Sequence, residues 1–543
     1  MAFPIILAHV ATAQPSAILD DLHARALATL HAIPRASSKR EAEAQREPLQ
    51  RKLEASLGFS RMKQSSGSIT AFVYSGEARR EPGPAILIAR PHEDPRNADT
   101  QALIASLVHG GFVVIALDLR PFDNKLDLLP HGLAPIGLMQ QEIREGLEYL
   151  TRRPDVDARH IGLIGSHLAA TFATAINPVI AASVIIEGAP DLEQEITQML
   201  ELRGGNLPDP CDLVPGILRY GATQELFALI APRPFLAIRP AQNVFDYASD
   251  LYSSYGEGAH AQQASAFGSA REFRDVIYRW FARFLEGPTN VGSFQEPEPS
   301  VSPVEVQLPG IAPAGISSRA PMTRNDIESL LGTELPRATV AYGLKIGLEQ
   351  QLTLQTQPGL RVPATVFRPG SEGRDPERGV LIAVSDAGKE TLSNDEVVRE
   401  AVRRGWIVWA VDPRGLGEAK PDSEGFLFGI SLLLGENFVW RQASDIRRIL
   451  ETVTPQCPIA GLYARGPNAS VIAAYVGASV QGERPAWIAI RDGIFSFSNS
   501  SGLPPHVLPF NALALFDIPD LLAASKRRVI VLNQLDKFLQ ADW

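Results

Sequence analysis

Short runs of unbroken apolar residues recur along this chain, separated by longer stretches with helical periodicity. Pro84-Ala85-Ile86-Leu87-Ile88-Ala89 and Phe112-Val113-Val114-Ile115-Ala116-Leu117 contain no polar position. An alternating strand buries one face, whereas a continuous apolar run buries both, as in a parallel sheet covered by helices. Further strands are predicted at Ile69–Tyr74, His160–Ile164, Ala182–Ile186 and Phe235–Ile238. Helical patterns lie between them, at Thr100–His109, Gln140–Arg152, from near Leu168, and at Glu272–Leu285. Upstream, Ile18, Leu22, Ala26 and Leu30 fall at i, i+4 spacing, and a charged helix is predicted over Ser38–Leu57. Apolar strands alternating with amphipathic helices predict an α/β fold with a mostly parallel sheet.

Residues 288–321 break the pattern. They hold seven prolines, at 288, 297, 299, 303, 309, 313 and 321, and read as an extended linker. The α/β pattern then returns. Gly379–Val384 matches the run at Pro84, and Gly405–Asp412 matches Gly111–Asp118 residue by residue in character. Helices at Asn394–Arg404, Val439–Val453 and Ala469–Ala478 and a strand at Ile459–Tyr463 follow in the same order. Two copies of one unit in tandem explain this recurrence. The expected organisation is an N-terminal helical segment over 1–62, a first α/β unit over 63–287, the linker 288–321 and a second, truncated α/β unit over 322–543.

Composition narrows the function classes. Hydrophobic residues make up 45% and charged residues 21%, which excludes a wholly disordered chain. The net charge of −10 argues against nucleic acid or an anionic membrane as the main partner, since both need basic surface. No apolar run approaches the roughly 20 residues of a membrane helix. Cys211 and Cys457 give neither a disulfide framework nor metal spacing, and His92, Glu93, Asp94 and His167 form no metal motif. No metal and no cofactor are expected. At the N-terminus, Phe3–Val10 followed by Ala11-Thr12-Ala13 suits a signal-peptide remnant over 1–13, but no Lys or Arg precedes Arg25. A secreted or periplasmic location follows if that remnant is real, and a cytoplasmic one otherwise.

The segment His160-Ile161-Gly162-Leu163-Ile164-Gly165-Ser166-His167-Leu168-Ala169 reads as a nucleophile elbow, the sharp strand-to-helix turn that holds a reactive residue at its tip. Small residues belong two before and two after the tip. Gly165 and Ala169 meet that need only if His167 is central, because Ser166 would be flanked by the bulky Ile164 and Leu168. Together with the lead-in Arg153–Ile161, the strand Ala231–Ile238 and the closing helix Tyr278–Gly287, this segment resembles acetyl xylan esterase-like and glucuronoyl esterase-like members of the α/β-hydrolase superfamily. The resemblance covers about residues 60–287, with a weaker copy over 341–543. It implies an α/β-hydrolase fold and, for intact members, ester hydrolysis on plant polysaccharide.

Such hydrolysis needs a serine, a histidine base, a carboxylate that orients it, and backbone N–H groups for the oxyanion. The resemblance puts the acid at Asn243, after the strand Phe235–Ile238, and the base at Ser265; with His167 at the elbow, all three roles are vacant. In the second copy the elbow position is Gly466, the acid position is Asp536, and the sole histidine, His506, precedes the final strand. What that copy keeps is Asp412-Pro413-Arg414-Gly415-Leu416-Gly417, where glycines allow a tight turn and Arg414 is expected to pin neighbouring loops. His92, Glu93 and Leu168 are candidates to line a pocket at the carboxyl ends of the strands, where ligands of such sheets sit. Triad members act as a unit. The expectation is therefore a pseudo-esterase that binds a carbohydrate or plays a structural part, with an active ester hydrolase of atypical site as the alternative.

Overall fold

The computed structural model describes residues 15–76, 81–119, 126–201, 209, 212–285, 302–313, 338–346, 349–370, 378–453, 460–479, 485–500, 502–525 and 527–532. The signal-like residues 1–13, both cysteines and Asp536 lie outside them.

Two eight-stranded sheets carry the fold. The first consists of β1 (Met62–Tyr74), β2 (Gly83–Ala89), β3 (Val113–Leu117), β4 (Val156–Ser166), β5 (Ile180–Ile186), β6 (Phe235–Ile238), β7 (Ala261–Ala264) and β8 (Val304–Pro313), in the order β7-β6-β5-β4-β2-β3-β1-β8. The strands from β7 to β3 pair in parallel, and β1 pairs antiparallel with β3 and β8. Every residue of β2 and β3 is buried, as their unbroken apolar runs require.

The second sheet comprises β9 (Thr339–Ile346), β10 (Glu349–Gln357), β11 (Leu360–Phe367), β12 (Gly379–Ser385), β13 (Trp406–Val411), β14 (Ala460–Arg465), β15 (Trp487–Arg491) and β16 (Arg528–Val531). Its order is β16-β15-β14-β12-β13-β11-β10-β9, so β11, β12, β13, β14, β15 and β16 take the places of β1 to β6. The registers agree residue by residue. Ala116 faces Ile88 and Phe72, and Ala410 faces Ala383 and Thr365. The strands at 112–118 and 406–412 thus hold equivalent positions. Among the described residues the second sheet has no strand in the place of β7.

Two features depart from the sequence reading. Residues 304–313 are not linker but edge strand β8, paired with β1 from Val73–Val304 to Met62–Pro313. An edge position tolerates the missing N–H of Pro309 and Pro313, so proline content there marked an edge and not a break. Second, one apolar cluster is shared between the two copies, beside the clusters that each keeps to itself. The helix Glu424–Leu434 lies in the same apolar cluster as the helices Pro15–His31 and Lys39–Leu57 and the loop residues Leu213 to Leu218. All but its first residue are buried, so it is apolar all round, and a helix of that kind must be enclosed by partners on every side.

Candidate functional site

The chain leaves β4 through a left-handed residue, His167, at φ 59°. A non-glycine residue in that region costs of order 1 kcal/mol or more and is kept where surroundings over-determine it. Here the crowding is visible. A Cβ on Gly165 would lie 2.7 Å from Ala170 Cβ and 3.0 Å from the Ala89 carbonyl oxygen. The close helix contact of Gly165 is thus Ala170, one position beyond the expected Ala169. Ser166 ends the strand, and its buried hydroxyl has no hydrogen-bond partner.

Left-handed residues also follow three neighbouring strands: His92 (φ 65°) after β2, Glu187 (φ 53°) after β5 and Arg239 (φ 54°) after β6. They turn the chain sharply at the carboxyl edge of the sheet, where the loops converge. Glu187 and Arg239 form an ion pair at 2.7 Å. A cleft of about 910 Å³ opens there, with Arg90, His92, Glu93, Arg239, Ser265 and Phe267 among its walls. His92 and Glu93 line it. Leu168 does not. Its side chain is buried in the apolar cluster shared with the Glu424–Leu434 helix, because it follows the elbow tip into the helix interior.

Two acidic residues complete the elbow. Asp212 Oδ1 accepts the backbone N–H of Leu168 at 3.0 Å. That N–H follows the elbow residue directly and is one of the two that hold the oxyanion in a working hydrolase of this fold. Burial pushes the Asp212 carboxyl up to about 6, while the nearby His167 and the Leu168 N–H act to lower it. Asp209 Oδ2 lies 2.9 Å from His92 Nε2. The rings of His92 and His167 meet edge-on with centroids 6.3 Å apart. Neither Asp209 nor Asp212 was singled out from the sequence. They lie beyond the helix Leu192–Glu201, and only the fold brings them over the elbow.

The expected triad positions are not joined. Asn243 is exposed at the start of the helix Gln242–Ser254 and donates to Asp191 at 2.7 Å. Ser265 follows β7 and faces the cleft. Among the described residues, no hydrogen bond or ion pair links His167, Asn243 and Ser265.

In the second sheet, strand register makes Gly466 the counterpart of His167, and its φ of 108° repeats the left-handed tip. Pro467 then stands in the place of Leu168 and has no N–H to offer. The next two N–H groups, of Asn468 and Ala469, donate to the Asp386 carboxylate at 2.9 and 2.7 Å. Burial raises the Asp386 pKa against these bonds. Both elbows therefore hold an aspartate of the chain itself against the first turn of the helix. His506 is in the 3-10 turn Pro505–Val507, fully enclosed. The Asp412–Gly417 turn behaves as its residues suggest. A Cβ on Gly417 would lie 2.2 Å from the Asp412 carboxyl, and Arg414 forks onto Asp445 at 2.7 and 2.6 Å.

No family model matches the chain, and no curated protein matches it. Solved structures do. A methylesterase shares 17% identity over 53% of this chain and 73% of its own, with a TM-score of 0.35. A glucuronoyl esterase from Teredinibacter turnerae shares 13% over 49% of this chain and 99% of its own, at 0.33. Another from Solibacter usitatus shares 14% over 40% and 77%, at 0.31. The chain is thus similar to carbohydrate esterases, but a likeness at this level carries no argument about activity. The strand order and the left-handed elbow speak for the α/β-hydrolase fold by themselves.

Proposed function

We propose that this chain is a catalytically degenerate relative of the carbohydrate esterases, whose first cleft binds a saccharide without serine-type turnover. The observation that supports it best is the contact between Asp212 and the Leu168 N–H. A carboxylate in that position puts negative charge where the tetrahedral oxyanion would develop, and so opposes the transition state the fold exists to stabilise. The residue at the tip, His167, has no hydroxyl to attack an ester carbonyl. Phe267 beside polar groups in the cleft suits a sugar ring, apolar on its face and hydroxylated at its rim.

The test pairs two measurements on the full chain. Calorimetric titration with acetylated xylo-oligosaccharides should show binding that weakens on Phe267→Ala. Acetate release from the same compounds should stay at background. Robust release, abolished by His167→Ala or Ser166→Ala, overturns the reading. One contact favours the active alternative: the His92–Asp209 pair offers an oriented base at the cleft wall. If that base works, hydrolysis of 4-nitrophenyl acetate falls on His92→Ala but not on His167→Ala.

A further inference from the structure

The segment that carries Asp212 to the first elbow is held from the other side by the second half of the chain. Gly216 donates its N–H to the Leu432 carbonyl at 2.8 Å. Arg219 reaches the same helix end with two donors, Nε to the Leu434 carbonyl at 2.6 Å and a terminal nitrogen to the Gly435 carbonyl at 2.7 Å. These carbonyls belong to the last turn and cap of the Glu424–Leu434 helix, the negative end of its dipole, and that of Leu432 also accepts the Gly435 N–H at 2.9 Å. The backbones touch as well. Gly216 (φ 73°) and Gly435 (φ 65°) approach so closely that a Cβ on Gly435 would lie 2.9 Å from Gly216 Cα. Beneath them, Leu213, Val214, Ile217 and Leu218 share one apolar cluster with the helix. Glu436, one residue further, is forked by Arg25 from the Pro15–His31 helix at 2.8 and 2.7 Å.

We infer that the second half serves as a clamp on the first elbow: the end of the Glu424–Leu434 helix fixes the 213–219 segment, and that segment keeps Asp212 on the Leu168 N–H. The physical reason is the shortness of the lever. Asp212 adjoins the clamped residues, so little freedom remains between the clasp and the carboxylate. Arg219 and Gly216 are positioning residues in this scheme, since neither touches the elbow. The inference depends on Asp212 closing the elbow and not on what the cleft binds, so it stands or falls apart from the saccharide reading.

Hydrogen exchange of backbone amides in the full-length protein tests it. Asp212→Ala should speed exchange of the Leu168 amide at least tenfold, which establishes Asp212 as its acceptor. Arg219→Ala should speed the same amide several-fold, with Arg219→Lys in between, because an ammonium cannot span two carbonyls as a guanidinium does. Amides of β2 and β4 should keep wild-type protection. If Arg219→Ala also loosens β2 and β4, the comparison rests on Arg219→Lys, which keeps the charge and the apolar stem. A Leu168 amide that exchanges at the wild-type rate in the Arg219 variant with intact strands, while Asp212→Ala accelerates it, overturns the clamp. An unchanged rate in Asp212→Ala overturns the contact on which the clamp acts.

Discussion

Acid should weaken this protein through one buried imidazole. His506 packs edge-on against Phe438 with centroids 5.4 Å apart, and neither ring nitrogen has a hydrogen-bond partner. The turn that carries it rests on the helices Glu424–Leu434 and Phe438–Val453. Burial pushes its pKa down to about 4, with Glu424 opposing and Lys420 assisting. A base with a lowered folded pKa takes its proton first in the unfolded chain. Its neutral form is therefore harmless above about pH 6.5, and stability is lost as pH falls from there towards 4. With a folded value of about 4, the loss is about 2 kcal/mol at pH 5 and about 3 kcal/mol once both states are protonated. Asp212 and Asp412, each pushed up to about 6 by burial, act with the opposite sign in the same window, since the folded state binds their protons more tightly. The wild-type profile alone is thus ambiguous, and the comparison must be with His506→Leu, which keeps the apolar packing and removes the titration. Urea unfolding at pH 7 and pH 5 should show the variant losing about 2 kcal/mol less than the wild type across that interval. Equal losses in both proteins would show that His506 finds a partner or water when protonated, and would refute the argument.

Three further outcomes follow from the geometry. Arg414→Ala should cost about 3–5 kcal/mol in chemical denaturation, because it strands the fully buried Asp445 carboxylate, and Arg414→Lys should recover only part of it. His167→Ser should not create turnover of acetylated xylo-oligosaccharides, since Asn243 and Ser265 supply neither acid nor base to activate the new hydroxyl; measurable release of acetate would contradict this. Residues 338–543 expressed alone should aggregate, and co-expression with residues 1–313 should restore a soluble complex on gel filtration, because the Glu424–Leu434 helix is otherwise left with an exposed apolar surface.

Much of the fold was written in local pattern. Runs such as Ile86–Ala89 and Ile407–Val411 have one sensible use, as strands buried on both faces, and their recurrence with matching spacing fixed two sheets of one order. The elbow register was equally local: of Ser166 and His167, only His167 has small neighbours at both required positions. The charged helix begins where Ser38 could cap it, and the structure has that cap on the Glu41 N–H. Tertiary structure alone decided the rest. β8 carries prolines and alternates weakly, so nothing but its pairing with β1 distinguishes it from linker. The Glu424–Leu434 helix reads as an apolar segment of the second copy, and only three-dimensional packing sends it into the core of the first. Asp209 and Asp212 are ordinary acidic residues, themselves in neither helix nor strand. Their bearing on the elbow comes from chain reversals tens of residues long, and hydrogen bonds across such separations leave no periodic trace in a sequence.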